Sequence, residues 1–95
     1  MTKEQIMNEV KIALGNIPSH LDNTIQSYID EVIQYLLSAG VNPKLLETDN
    51  IDERCKGCII RGVADLWNYG NSDTKLSEYF YQRADQLRLL EVVEN

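Results

Sequence analysis

Ile51-Asp52-Glu53-Arg54-Cys55-Lys56-Gly57-Cys58-Ile59-Ile60-Arg61-Gly62-Val63-Ala64-Asp65-Leu66-Trp67-Asn68-Tyr69 is the segment around which the rest of the chain is organised. At about 100° per residue, Ile51, Cys55, Cys58, Ile59, Gly62, Leu66 and Tyr69 share one face of a helix. Ile60, Val63 and Trp67 form a second apolar strip on the other side, which leaves only Arg54, Arg61, Asp65 and Asn68 as a narrow polar remainder. A helix apolar over most of its circumference is covered by neighbours on every side, or by neighbours on one side and a partner chain on the other.

Upstream, Thr2 and Gln5 read as a capping box that opens a first helix, with Ile6, Met7, Val10, Ala13 and Leu14 on its buried face and Gly15 as its stop. Asn16-Ile17-Pro18-Ser19 is a connection. Asp22 or Asn23 caps the second helix, whose Ile25, Tyr28, Ile29, Val32, Ile33, Leu36 and Leu37 form an unbroken stripe opposite Asp30, Glu31, Gln34 and Ser38. Gly40 ends it. Asn42-Pro43 begins a single helical turn through Leu46, and Thr48-Asp49-Asn50 is a polar turn, with Asn50 and Glu53 resembling another cap.

Downstream, Gly70 stops the central helix and Asn71 to Thr74 is polar. Ser72 or Thr74 starts a last helix with Leu76, Tyr79, Phe80, Arg83, Leu87 and Leu90 on one face, while Tyr81 and Leu89 point away. No sustained period-two alternation and no Asn-Gly or Asp-Gly turn points to strands. The expected fold is all-α: one domain over residues 1–95, a small bundle of four main helices plus a short helical turn.

The chain has 95 residues, 43% hydrophobic and 25% charged, so it is sized for one domain with a modest core that association would supplement. A net charge of −6 argues against gripping nucleic acid by its phosphates but not against a wall past which DNA slides. No apolar run has the length of a membrane span, and Met1 to Gln5 lacks the basic and apolar regions of a signal peptide, so a cytosolic home is expected.

Little in the chain suggests catalysis. Cys55-Lys56-Gly57-Cys58 matches C-x-x-C, but it sits in a helix with no strand before it, and zinc would need further ligands where only His20 remains. Two small apolar core residues are the reading for this pair. His20 is a solvated loop residue, Ser19 and Asp22 beside it being no specific signal. No cofactor, metal or catalytic residue is expected, and the protein is expected not to be an enzyme. A helix-turn-helix around Gly40 would need a recognition helix with exposed cations, yet Arg54, Lys56 and Arg61 are spread around the circumference among Asp52, Glu53 and Asp65. Trp67 and Tyr81 lie off the main faces. With Ile60, Val63, Leu89, Val92 and Val93 they make a candidate oligomer or partner interface, unless the Pro43 to Leu46 segment or the first helix covers it.

Taken together, three features resemble the small head–tail connector proteins of tailed phages and prophages, the gp6-like adaptor family. They are the long amphipathic helix ending in Ala39-Gly40 after a short N-terminal helix, the central Ile59 to Gly70 helix ending in an aromatic before a polar turn, and Asn71 to Thr74 followed by a helix through Tyr79 to Leu90. The pair Cys55 and Cys58 and the short tail after Leu90 depart from the family pattern. The resemblance implies a non-enzymatic virion protein. It would assemble as a homo-oligomeric ring, twelvefold symmetry being one option, below the portal protein at the virion neck after synthesis in the bacterial cytoplasm. Such a ring extends the DNA channel without specific DNA binding and docks the tail or a stopper protein. The other readings are a small helical interaction module of antirepressor type, which would bind one partner helix in a groove, and the helix-turn-helix regulator.

Overall fold

The computed structural model describes residues 1–69 and 76–90, the side chain of Tyr69 apart. Four helices carry the architecture: α1 (Lys3–Ala13), α2 (Asp22–Ser38), α3 (Lys56–Tyr69) and α4 (Glu78–Arg88). The all-α expectation holds. α3 is the hub, packed against α1, α2 and α4, while α1 and α2 also pack on each other. The two-sided apolar pattern of the central stretch is thus met largely inside one chain.

Each helix has a local reason to start and stop. Thr2 Oγ1 accepts the Gln5 N–H at 3.1 Å, and Gln5 Oε1 accepts the Thr2 N–H at 2.8 Å, the expected capping box. α1 buries Ile6 and Val10, with Met7 and Leu14 half-buried; Ala13 is exposed, so the buried stripe is narrower than expected. α2 is not capped by Asp22 or Asn23. A 3-10 turn over Ser19–Leu21 leads directly into it, no side chain caps it, and Asp22 is its first residue. Its stripe is as the periodicity predicts: Ile25, Ile29, Val32 and Leu36 are fully buried, with Tyr28, Ile33 and Leu37 packed at the margins. α2 ends in a Schellman arrangement, the Val41 N–H reaching Leu36 O at 3.0 Å and the Gly40 N–H reaching Leu37 O at 3.2 Å. That arrangement requires Gly40 at φ +97°, where a side chain would be strained.

Asn42 Oδ1 accepts the Lys44 N–H and opens the expected short turn, a 3-10 helix over Pro43–Leu45. Beyond it lies a feature the alternation test misses. Leu46–Glu47 (β1) pairs antiparallel with Asn50–Ile51 (β2), Leu46 opposite Ile51 and Glu47 opposite Asn50. Two residues per strand are too few to show a period. Met1 and Ile51 exchange both backbone hydrogen bonds, each 2.6 Å, and the Lys3 N–H donates to Thr48 O at 3.0 Å, so the start of α1 is stitched to this ribbon.

The ribbon also moves the start of the central helix. Ile51 belongs to β2, Asp52 Oδ1 rather than Asn50 caps a 3-10 turn over Glu53–Cys55, and α3 begins at Lys56. The expected starts of the last helix, Ser72 and Thr74, lie outside the described residues; α4 is capped by Ser77, whose Oγ accepts the Phe80 N–H at 3.2 Å. α4 buries Phe80, Ala84 and Leu87. Tyr79 and Arg83, expected on that face, are exposed, because the helix is rotated to put Phe80 against α3.

Gly62 decides how closely α4 approaches. A Cβ there would lie 2.8 Å from Phe80 Cε2 and 2.9 Å from Val32 Cγ2, so the ring of α4 and the branched side chain of α2 both occupy the space that glycine leaves. On the surface, Lys3 pairs with Asp30 at 2.8 Å and Lys11 with Asp22 at 2.7 Å, holding α1 along α2. Such exposed pairs contribute at most about 1 kcal/mol each.

Candidate interaction surface

α4 is held to α3 by one polar clamp. Asp65 is only 4% exposed although periodicity places it on the polar strip. Its Oδ2 accepts the Ser77 N–H at 2.9 Å, and its Oδ1 lies 3.4 Å from Arg61 Nε, which also donates to Ser77 Oγ at 3.3 Å. The Arg61 guanidinium then lies 5.2 Å from the centre of the Tyr79 ring, with that of Arg83 at 5.8 Å from the same ring. Tyr79 is thereby held outward between two cations, a contact of a kind worth about 0.5–1 kcal/mol at an exposed site.

Next to the clamp stands an aromatic group. Tyr35 of α2 lies 5.4 Å from Phe80 and 5.6 Å from Tyr81, ring centre to ring centre, and Phe80 and Tyr81 are 5.8 Å apart. Tilted and edge-on contacts of this kind favour the ring quadrupoles. Phe80 is fully buried, whereas Tyr81 is 40% exposed and walls a small cleft of about 120 Å³ shared with Glu31, Val32, Tyr35, Leu66 and Leu76. Desolvation raises the pKa of the Tyr35 hydroxyl above its ordinary value, and the nearby Tyr81 and Asp85 charges add to this.

The described residues of the sequence-derived interface separate into three groups. Val63 is fully buried in the core of the single chain and leaves the surface set: α3 is packed on three sides, and the second apolar strip is mostly covered from within. Ile60 and Trp67 are half-buried against the core. Tyr81 and Leu89 are exposed, Leu89 by 75%, as expected from their place off the apolar face of α4. Val92 and Val93 lie outside the described residues. Two exposed apolar residues escaped the sequence reading. Periodicity predicts Tyr79 on the buried face, and Ile12, 66% exposed on α1, falls outside the Ile6–Val10 stripe. The stripe itself is the signal that could have found Ile12.

Cys55 and Cys58 are both free and buried, as the packing reading has it. Burial raises their thiol pKa values to about 11 and about 12. Cys58 Sγ sits 4.0 Å from Phe80 O. His20 is exposed in its 3-10 turn. Asp52, bonded by Arg54 through Nε at 2.9 Å and Nη2 at 3.0 Å, has its pKa lowered, first by that side-chain hydrogen bond. Among the described residues no group of three or more His, Cys, Asp or Glu is placed to hold a metal ion, and no helix is long and apolar enough to cross a membrane.

No protein-family model matches the chain, and no curated protein and no solved structure matches it either.

Proposed function

We propose that this protein does structural rather than catalytic work, as a head–tail connector subunit that assembles with copies of itself into a ring below a phage portal. The observation that carries this reading is the concentration of exposed apolar surface on one element. Of the four large hydrophobic side chains most exposed among the described residues, Tyr79, Tyr81 and Leu89 belong to α4 or its cap, the fourth being Ile12 on α1. Tyrosines in such positions are frequent interface anchors. In this reading α4 of one copy meets a different surface of its neighbour. Such heterologous contacts generate rings when the rotation closes. The net charge of −6 suits the wall of a channel through which DNA passes, since it repels phosphates.

In this reading the portal and a tail or stopper protein are the other partners, the ring sits at the virion neck, and the chain is made in the host cytoplasm. Sedimentation velocity over a concentration series tests it. The wild-type chain is expected to shift from monomer to a large discrete species, and the double variant Tyr81→Glu, Leu89→Glu to remain a folded monomer. Equal association of both would remove α4 from the interface. A single heterodimer with one partner and no larger species would favour the interaction-module reading.

A further inference from the structure

We propose that the cleft between the start of α3 and the C-terminal half of α4 is a docking site for an acidic segment of a partner polypeptide, whose carboxylate enters beside an aliphatic side chain. The cleft measures about 300 Å³ and is lined by Arg54, Cys58, Arg83, Gln86, Leu87 and Leu90. Its two halves differ in chemistry. Leu87, Leu90 and the buried Cys58 make an apolar floor, and two guanidiniums and an amide stand at the rim.

Charge complementarity selects the occupant. The chain as a whole is acidic, with fifteen Asp and Glu against nine Lys and Arg, yet this cleft gathers Arg54 and Arg83 at the N-terminal end of a helix, where the backbone dipole adds positive potential. Among the described residues, the acids next to Arg54 in the chain are Asp52, already engaged by Arg54, and the exposed Glu53. Arg83 has no carboxylate partner among the described residues and rests against the Tyr79 ring. Its position has been given room: a Cβ on Gly57 would lie 3.3 Å from Arg83 Nη2. A planar guanidinium with free donors matches a carboxylate two bonds at a time. An inorganic anion would use the rim and leave the floor wet, whereas an Asp or Glu next to Leu, Ile or Val uses both. Neither Tyr81 nor Leu89 lines this cleft, which adjoins the proposed ring surface through Arg83 over the Tyr79 ring.

Fluorescence anisotropy of the labelled peptide acetyl-Leu-Glu-Leu-Glu-amide, titrated with the full chain, tests the site whatever the oligomeric state. Saturable binding is expected, weakened about tenfold or more by Arg83→Gln and by a peptide carrying Gln in place of Glu, which is the loss of a charge-assisted hydrogen bond. Arg83→Lys should keep part of it, Leu90→Ala should weaken it, and Lys11→Gln, which removes the same charge from α1, should leave it unchanged. Absence of binding, an equal effect of Lys11→Gln, or displacement by inorganic phosphate at the affinity of the peptide would each overturn the proposal.

Discussion

Gly62 and Gly57 lie on the same helix, and adding a side chain should have opposite signs at the two: Gly62→Val destabilises and Gly57→Ala stabilises. At Gly62 a new side chain meets Phe80 and Val32 inside the distance that real Cβ atoms keep, and both neighbours are fully buried. Gly62→Val should therefore destabilise the protein by about 2 kcal/mol or more, since overpacking a full core costs about 1–3 kcal/mol and valine recovers little in helix propensity. At Gly57 the nearest atom is the mobile end of Arg83, so Gly57→Ala should stabilise by about 0.5–1 kcal/mol, with urea unfolding as the measure of both. The close approach at Gly62 was legible in the sequence as a glycine on an apolar face. Its partner Phe80 was not, because periodicity says which face is buried and never against what. The cysteines give a second residue-scale test. Their folded pKa values, about 11 and about 12, lie above the ordinary 9.0, so the stability they contribute is whole below pH 9 and is lost as pH rises toward those values. Unfolding free energy should fall steadily above about pH 9, more gently in Cys58→Ala, and a thiol reagent at neutral pH should react only on unfolding.

At the scale of elements, α4 is the piece whose attachment can be cut cleanly. Its entry is fixed by Ser77 and by a single buried carboxylate, Asp65, on the neighbouring helix. Ser77→Ala should cost about 1 kcal/mol through the lost cap. Asp65→Ala should cost about 1–3 kcal/mol, because it leaves the Ser77 N–H without its acceptor and Arg61 without its ion partner. Hydrogen exchange should show the amides of α4 opening first in both variants while those of α2 keep their protection; uniform loss across the chain would mean that α4 does not open as a unit. Much of this scale could be read in advance. The α2 stripe, the capping box at Thr2 and the Gly40 stop depend on residues within a turn or two of each other, which is the range that sequence patterns report. The start of α4 and the burial of Asp65 depend on a contact between positions 65 and 77, and the β1–β2 ribbon on a pairing too short to leave a period.

At the scale of the whole molecule, the chain satisfies more of its own apolar surface than the central stretch suggests. Val63 is core, and Ile60 and Trp67 pack half-buried against that core within the one chain. Among the described residues, the large apolar side chains left most exposed are Tyr79, Tyr81 and Leu89 on α4 or its cap and Ile12 on α1. Of the five described residues of the expected interface, two are exposed, Tyr81 and Leu89, and the tyrosine at position 79 joins them because α4 is rotated about Phe80. The central claim is that these surfaces close copies into a ring. Electron microscopy of the purified chain over a concentration series, with light scattering for mass, tests it most directly. Discrete closed rings of uniform diameter are expected, and they should disappear when Tyr81 and Leu89 are both replaced by Glu. A monodisperse monomer up to the solubility limit, or open filaments in place of rings, would contradict it.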